Sequence, residues 1–305
     1  MRVAGLLLCC TFAFAQGDRV GLIELFGFRG MDVEAVRKAL PVREGSIAPE
    51  DDADRESFLK GIEAAVIATI GRPPTDISPV CCDQNGAWIL YIGLGGITVS
   101  TRPRPSGSAL LPTEFVTHYD TLIEANEQAV RSGATEDHSR GFALSTLPEL
   151  RARQLQFHEH ASKLAPVLYS VLRNSKDDKH RSIAAHAIGY LSVSSRQVDA
   201  LVEATHDVSS TVRNNAVRAL WVIADSGESN ARQIPVSAFV PLLGSDKWSD
   251  RNKALLLLAS RIKNDRKAAT DLRPAIQDLK EMAQWRNPGH SESARVLLEC
   301  LSSLK

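Results

Sequence analysis

The chain has 305 residues, 44% hydrophobic and 6% aromatic, which is long enough for a small domain followed by a repeat array. Its 36 basic residues balance its 36 acidic residues, and no basic stripe runs along it. This balance argues against nucleic acid as the main partner and against an electrostatic membrane anchor.

The first residues have the pattern of a secretory signal peptide. Met1 and Arg2 give a short basic start, residues 3–15 form an apolar run, and Ala13 and Ala15 occupy the positions that signal peptidase reads. We expect cleavage after Ala15 and a periplasmic or secreted mature protein. A spanning helix needs about 20 apolar residues, so we expect no membrane span in the mature chain.

Three cysteines remain after that cleavage: Cys81, Cys82 and Cys300. An odd number cannot pair completely within one chain. Cys81 and Cys82 are neighbours, and on a strand they would point to opposite faces. We interpret all three as small buried side chains. Pairing between chains in an oxidising compartment is the alternative, and it leaves oligomer formation open.

The pattern of apolar and turn residues over 19–97 predicts a small α+β domain with the element order β-α-α-β-β. The expected elements are a strand at 19–28, helices at 31–40 and 51–70, and strands at 75–83 and 87–94. Asn85-Gly86 stands between the last two apolar runs, which is a strong hairpin signal. The helices should then cover one face of the sheet.

The opening of this domain resembles a POTRA domain, a small exported module of outer-membrane assembly and secretion proteins. The likeness covers residues 19–95 and consists of a strand, Gly30, a helix and then Arg43-Glu44-Gly45. It implies that a peptide binds by strand addition at a sheet edge. The alternative is that the sheet caps the N-terminal end of the helical array.

Residues 98–112 are rich in proline and are expected to link this domain to the helices that follow. Residues 113–160 are predicted to form connecting helices. Between these helices Glu136, Asp137 and His138 stand together, and a catalytic or metal site is one interpretation. We favour a solvated loop, because adjacent residues rarely converge on one ion.

Residues 161–305 predict four helix pairs that stack as a repeat. One pair cannot bury its apolar face alone, so its neighbours supply the core. The second helices align on a shared alanine, at Ala184, Ala216, Ala254 and Ala294. These alanines are 32, 38 and 40 residues apart, a spacing typical of solenoids.

The best-preserved unit, residues 207–224, has apolar residues at helical spacing after a polar start. It resembles the second helix of a HEAT repeat through Val212-Arg213, Ala216 and Ala219-Leu220. The likeness covers residues 161–303. It implies a mainly α fold, in which a HEAT-like α-α solenoid follows the small α+β domain and presents an extended surface to proteins or peptides. The whole chain also resembles uncharacterised exported bacterial proteins that combine such a module with these repeats.

An arginine stands three residues before the aligned alanine in three of the repeats, at Arg181, Arg213 and Arg251. An acidic residue lies shortly before each of them. We expect each arginine to reach the acidic residue at a neighbouring inter-helix turn, which would form a ladder along the stack. Ligand binding is the alternative role for these arginines.

Two matched polar triplets, Arg213-Asn214-Asn215 and Arg251-Asn252-Lys253, lie on successive second helices. Three of the four tryptophans, Trp221, Trp248 and Trp285, also lie in the array. Arginine, asparagine and tryptophan together are typical of a peptide-binding groove. Core packing between repeats is the other interpretation of the tryptophans. The candidate partner-binding residues are Arg213, Asn214, Asn215, Trp248, Arg251, Asn252 and Lys253.

We therefore predict an exported, non-enzymatic scaffold that binds a protein or peptide and needs no cofactor or metal. An enzyme or enzyme subunit of the HEAT-like lyase type is one alternative. The chain contains no Gly-x-Ser-x-Gly, His-Glu-x-x-His or Cys-x-x-Cys motif that would favour it. A purely structural, oligomeric envelope component is the other alternative.

Overall fold

The computed structural model describes residues 19–49, 52–81, 83 and 85–304 of the chain. Within these ranges the fold is mainly α, with a small N-terminal α+β domain followed by stacked helix pairs, which confirms the predicted fold class. The predicted signal peptide lies outside the described residues. No helix in the described part is both long enough and apolar enough to cross a membrane.

A three-stranded sheet forms the base of the N-terminal domain. It contains β1 (Val20–Phe26), β2 (Asp76–Val80) and β3 (Trp88–Gly93), with β3 in the centre, parallel to β1 and antiparallel to β2. Two helices, α1 (Val33–Ala39) and α2 (Asp52–Ile70), lie between β1 and β2 in the chain. They supply the crossover that a parallel pair of strands requires.

The two faces of this sheet pack against different parts of the molecule. Leu90 and Ile92 belong to a small core that β1 and β3 share with α1 and α2. Ile89 and Tyr91 belong to the main core of the helical array. Because alternate residues of a strand point to opposite faces, β3 is buried on both sides and its apolar run is nearly continuous.

The rest of the chain forms helix pairs. The helices are α3 (Thr113–Arg131), α4 (Pro148–Lys163), α5 (Ala165–Asn174), α6 (Asp178–Ile188), α7 (Ser195–Ala204), α8 (Ser210–Asp225), α9 (Trp248–Asn264), α10 (Ile276–Met282) and α11 (Pro288–Ser302). A short hairpin of β4 (Glu136–Asp137) and β5 (Leu144–Ser145) joins α3 to α4. Phe115 of α3 stacks on Phe157 of α4 at 5.2 Å, so these helices form a further pair before the predicted array.

The first helix of the third predicted pair is not a regular α-helix, and that of the fourth is an α-helix only over α10. The segment before α9 consists of 3₁₀ turns at Val236–Ala238 and Val240–Gly244. The segment before α10 is a 3₁₀ stretch, Arg266–Ala275. Pro241 and Pro274 lie in these segments, and proline has no N–H for a helical hydrogen bond. The second helices keep the predicted register, since all four aligned alanines are fully buried.

The predicted arginine ladder is present along the second helices. Arg181 donates two hydrogen bonds of 2.8 Å to the carboxylate of Asp207 in the next pair. Arg213 binds Asp250 one pair further in the same way, at 3.0 and 2.7 Å. These four side chains are buried, so both pairs are internal ion pairs rather than ligand sites.

Each ladder arginine also binds the turn that precedes its own helix. It donates to the carbonyl six residues before it, and the pairs are Arg181 with Ser175, Arg213 with Asp207, and Arg251 with Ser245. The guanidinium has five N–H donors in a fixed fork, so one side chain can serve both a carboxylate and a carbonyl. The ladder therefore fixes the inter-helix turns as well as the distance between pairs.

The last arginine of the ladder connects the array to the N-terminal domain. Arg251 Nη1 lies 3.3 Å from Glu281 and 3.9 Å from Asp278, both on α10. Its guanidinium also lies 5.2 Å from the centre of the Phe26 ring at the end of β1. Glu281 in turn accepts the backbone N–H of Gly27 at 2.7 Å.

The N-terminal domain packs against the C-terminal end of the array. Tyr91 of β3 stacks on Trp248 with ring centres 4.5 Å apart and meets Trp285 edge-on at 5.5 Å. The backbone N–H of Arg286 donates to Glu24 of β1 at 2.7 Å. The alternative interpretation, that the sheet caps the N-terminal end of the array, is therefore wrong, because the apolar partners of its second face lie in the last two pairs.

Residues 97–111, which we call the strap, return from that end along the array. The strap binds three inter-helix turns in succession: Ile97 donates to Gly244, Arg102 donates to His206, and Gly107 accepts from Lys176. The predicted linker at 98–112 thus joins the two domains, and its backbone is hydrogen-bonded to the array. The strap binds the turns from one side, and the ladder arginines bind the same turns from within.

Cys81 forms a disulfide and is exposed, which corrects the interpretation of it as a buried unpaired side chain. Cys82 lies outside the described residues. Cys300 is a free cysteine and is half-buried beside the main core.

Candidate partner-binding site

The structure divides the seven predicted binding residues into two groups. Four are buried and three are half-buried on the second helices. The buried ones are Arg213, Trp248, Arg251 and Asn252, and the half-buried ones are Asn214, Asn215 and Lys253. Only the second group can contribute to a surface that a partner contacts.

The buried group is occupied by contacts within the protein. Arg213 and Arg251 are ladder residues with carboxylate partners. Trp248 packs on Tyr91 of the N-terminal domain, so its role is core packing, though against the sheet rather than between repeats. Asn252 is enclosed on α9 with only 1% of its surface exposed. The prediction that these four side chains line a binding groove is therefore wrong.

Asn215 and Lys253 occupy equivalent positions on neighbouring second helices. Asn215 donates to the carbonyl and hydroxyl of Ser182 on α6, at 3.1 and 3.0 Å. Lys253, two residues after Arg251 as Asn215 is after Arg213, has no hydrogen-bond or ion-pair partner among the described residues. We call the surface of α6, α8 and α9 that carries Asn215, Arg218 and Lys253 the second-helix face.

An ion pair between Arg218 and Glu136 lies at the centre of this face. Arg218 Nη2 of α8 is 2.5 and 2.7 Å from the two carboxylate oxygens of Glu136 on β4. The guanidinium also lies 5.3 Å from the centre of the Trp221 ring. Burial would raise the pKa of Glu136, but the hydrogen bond from His138 and the charge of Arg218 outweigh it and lower the pKa to about 2.

His138 joins the hairpin to the C-terminal end of α8. Its Nε2 lies 3.2 Å from Glu136 and its Nδ1 lies 2.9 Å from Asp225. Burial disfavours the charged ring, but the hydrogen bonds to the two carboxylates outweigh it and raise the pKa of His138. The ring also packs edge-on against Trp221 at 5.1 Å. The prediction of a solvated loop is therefore wrong in part: Glu136 is exposed as expected, but Glu136 and Asp137 form a strand, and His138 is half-buried between two carboxylates.

No metal site is formed by these acidic and histidine residues. Asp137 points away from the other two and pairs with Arg151 of α4 at 3.0 Å. Across the ranges that the structure describes, no group of three or more histidine, cysteine or carboxylate side chains is placed to hold a metal ion.

A small cavity of about 30 Å³ lies beside Arg218, between α6 and α8. Its lining includes His186, Tyr190 and Asn215. Arg218 Nη1 and His186 Nε2 are buried and have no hydrogen-bond partner in the described part of the chain. Burial lowers the pKa of His186 to about 4, and the charge of Arg218 adds to this, so the ring is neutral at pH 7.

Lys253 is a further titratable group near the Arg218–Glu136 ion pair. Burial, together with the charge of Arg218, lowers the pKa of its amine to about 8. Several titratable groups with shifted pKa values thus surround the Arg218–Glu136 ion pair. Such clusters are typical of functional sites. Sequence reasoning found Asn215 and Lys253 through the matched triplets but missed Arg218 and His186, because the hairpin that defines their surroundings is distant in the chain.

Comparison with known proteins gives little help with identity. No family model matches the chain, and no curated protein matches it. A crystal structure of an engineered protein is similar over 52% of this chain and 75% of its own, with 21% identity and a TM-score of 0.40. A designed armadillo repeat protein is similar over 52% of this chain and 95% of its own, with 16% identity and a TM-score of 0.28. Likeness at these values carries no argument about function.

Proposed function

We propose that this protein is an exported, non-enzymatic scaffold that binds a protein partner through its second-helix face. The observation that carries the proposal is the half-buried Lys253, which has no partner among the described residues and lies beside the Arg218–Glu136 ion pair. An array needs its buried ladder to hold the pairs together, but it does not need an unpaired amine on its surface.

Export, HEAT-type repeats and a POTRA-like module are part of this proposal. Strand addition, which the POTRA likeness implies, would have to use the edge at β2. At the β1 edge the N–H of Ile23 donates to Glu44 at 3.0 Å, and its carbonyl accepts from Arg37 and Arg286 at 2.7 and 2.9 Å. The β1 edge is therefore occupied by contacts within the chain.

Affinity capture with quantitative mass spectrometry tests this proposal. It uses two variants, each of which adds a bulky side chain on a different side of the array. Asn214→Tyr places a ring on the second-helix face, and Asp199→Tyr places one on the exposed side of α7. We expect a partner that the wild type and Asp199→Tyr retain and that Asn214→Tyr loses. Equal recovery of every protein by all three chains would contradict the proposal.

An enzyme is the second candidate, because shifted pKa values cluster around Arg218. A nucleophile and a base would have to lie within hydrogen-bond reach of each other. Lys253 has no hydrogen-bonded base among the residues that the structure describes. A turnover screen of wild type against Lys253→Gln separates the two candidates, since only an enzyme would show substrate loss that depends on this amine.

A further inference from the structure

Two histidines meet at the rim of the helix pair formed by α3 and α4. The Nδ1 atoms of His118 on α3 and His160 on α4 lie 3.2 Å apart. Each histidine stands three residues after a phenylalanine, Phe115 or Phe157, and residues at this spacing share one face of a helix. Both phenylalanines are fully buried, whereas both histidines are half-buried. The two imidazole rings therefore contact the core and are also accessible from solution.

Aromatic contacts hold the two rings in place. The His160 ring meets Phe115 edge-on with ring centres 4.9 Å apart, and the His118 ring meets Phe157 edge-on at 5.4 Å. The imidazole centres are 5.5 Å apart, and their planes differ by 27°. Because both side chains are already ordered by packing, a ligand that binds between them loses little affinity to side-chain ordering.

The distance between the two nitrogens suits a transition-metal ion. Imidazole nitrogen is a common ligand of Zn²⁺, Cu²⁺ and Ni²⁺. With metal–nitrogen bonds of about 2.0–2.1 Å, two ligands of a tetrahedral ion lie about 3.3–3.4 Å apart. The observed separation of 3.2 Å is close to this value, so both Nδ1 atoms can reach one ion without movement of either helix.

The surroundings also favour the form of imidazole that binds a metal, which is the neutral ring with one unprotonated nitrogen. Burial lowers the pKa of His118, and the charge of His160 adds to this, so His118 is neutral at pH 7. Glu114 Oε1 lies 3.9 Å from Nε2 of His160. A carboxylate on that side favours the tautomer with its proton on Nε2, which leaves the lone pair on Nδ1, the atom nearest His118.

A hydrogen bond between the two neutral rings is the alternative explanation of the short distance. Burial does not require this bond, because both rings are partly exposed and can bind water instead; the His160 side chain keeps 27% of its surface. What the packing does achieve is to bring two ligand atoms together at the spacing of a metal site.

We infer that His118 and His160 form a binding site for a divalent transition-metal ion, with both Nδ1 atoms as ligands. Water fills the other positions of a four-coordinate ion, and the exposed Glu114, one helical turn before His118, is placed to take one of them. A site with two histidine ligands is compatible with the lack of any preformed set of three or more among the described residues. The sequence predicted no metal site because these histidines are 42 residues apart.

The ligand chemistry sets the order of affinities. Nitrogen ligands bind first-row metals with affinities that rise to Cu²⁺, so Cu²⁺ should bind more tightly than Ni²⁺ or Zn²⁺. Mg²⁺ and Ca²⁺ prefer oxygen ligands and should not bind. The site lies on α3 and α4, away from the second-helix face, so it does not depend on the proposed function.

The direct test is a calorimetric titration of the full chain, without an affinity tag, with Cu²⁺, Zn²⁺ and Mg²⁺. Pulsed electron paramagnetic resonance of the Cu²⁺-loaded protein then counts the coordinated imidazoles. We expect Cu²⁺ to bind with two imidazoles as ligands, Zn²⁺ to compete for the same site, and Mg²⁺ to give no binding.

Two variants, His118→Gln and His160→Gln, each remove one ligand. Each should weaken Cu²⁺ binding by at least about tenfold, the lower end of the effect of losing even an outer-shell partner, and leave at most one imidazole on the ion. His206→Gln is the matched control, because it removes an exposed histidine between α7 and α8. It should change the affinity by less than about twofold and retain both imidazoles. Circular dichroism checks that all three variants fold.

The wild-type chain provides a measurement that does not depend on the folding of any variant. Addition of Zn²⁺ should shift the ring ¹⁵N signals of His118 and His160 and leave those of His206 unchanged. Three results would overturn the inference: fewer than two imidazoles on Cu²⁺ in the wild type, equal affinity in the wild type and both ligand variants, or no shift of these two rings with Zn²⁺.

Discussion

Arg213 shows how a charged residue is accommodated in the interior of this array. Its guanidinium binds both oxygens of Asp250 and also the carbonyl of Asp207, so most of its donors are used. A buried ion pair is tolerated only with such complete hydrogen bonding, and removal of one partner leaves an isolated charge. The ladder is thus a condition for burial rather than a large source of stability.

Replacement of Arg213 by methionine should therefore lower the free energy of unfolding by about 3–5 kcal/mol, because Asp250 stays buried without its partner. Chemical denaturation measures this change. The control is Arg173→Met, which removes a more exposed pair with Glu203 and should cost less than about 1 kcal/mol. Similar losses in both variants would show that burial of the ladder pair does not matter.

His138 gives the hairpin a pH dependence. Its pKa is raised in the folded chain, so its contribution to stability is fully present below about pH 6.5, the ordinary value, and is lost as pH rises through the folded pKa. His138→Gln should thus destabilise the protein more at about pH 5.5 than at about pH 8.5. Denaturation of both chains at the two pH values gives the difference. A larger effect at high pH would refute the ion-pair role of this ring.

The strap depends on close approach of two backbones. A Cβ at Gly107 would lie 2.4 Å from the carbonyl oxygen of Asn174, which is backbone and cannot rotate away. The Lys176 N–H that binds Gly107 is in the same turn, at 2.8 Å. A glycine is therefore required at this crossing for its lack of a side chain.

Gly107→Ala should detach this end of the strap, so we expect a lower free energy of unfolding and faster proteolysis within residues 97–111. Gly61→Ala is the matched control, because its new Cβ would only make an ordinary 3.5 Å contact with Pro41. Gly61 lies within α2, where alanine is favoured by about 1 kcal/mol, so this variant should be slightly more stable. The two variants should change the free energy of unfolding in opposite directions. A change in the same direction for both would contradict the predicted clash at Gly107.

Elements whose partners are close in sequence could be predicted, and those with distant partners could not. The second helices carry their own signals in the aligned alanines and in the arginine three residues earlier, so their register and the first two rungs of the ladder were foreseen. The β4–β5 hairpin has only two-residue strands, and its position depends on Arg218, far along the chain. No local pattern reveals such a contact. For the same reason, the strap could be predicted from the sequence only as a linker.

At the scale of the whole molecule, the N-terminal domain and the array share one hydrogen-bonded junction. Glu281 accepts from Gly27 at 2.7 Å and lies 3.3 Å from Arg251, so a single carboxylate serves both parts. Arg29 binds Asp278 beside it at 3.1 Å. Burial raises the pKa of Glu281, and the charge of Arg251 opposes this. The two parts should therefore unfold together.

Tryptophan fluorescence reports on Trp248 and Trp285 of the junction together with Trp88 and Trp221, and far-ultraviolet circular dichroism follows the helices. In denaturant the two transitions should coincide, as expected of one cooperative unit. Glu281→Ala should shift both by the same amount, about 1–3 kcal/mol, because it leaves buried donors unpaired. Glu292→Ala, exposed on α11, should shift neither by more than about 0.5 kcal/mol. Separate transitions in the wild type would contradict a shared junction.

The junction also sets an order of events during synthesis. Tyr91 leaves the ribosome long before Trp248, Trp285 and His290, the rings that cover it. At about 5–20 residues per second, translation of residues 94–290 takes roughly 10–40 s. During that interval one apolar face of the nascent sheet has no cover from its own chain. We therefore expect the growing polypeptide to expose an apolar sheet face that the finished protein covers.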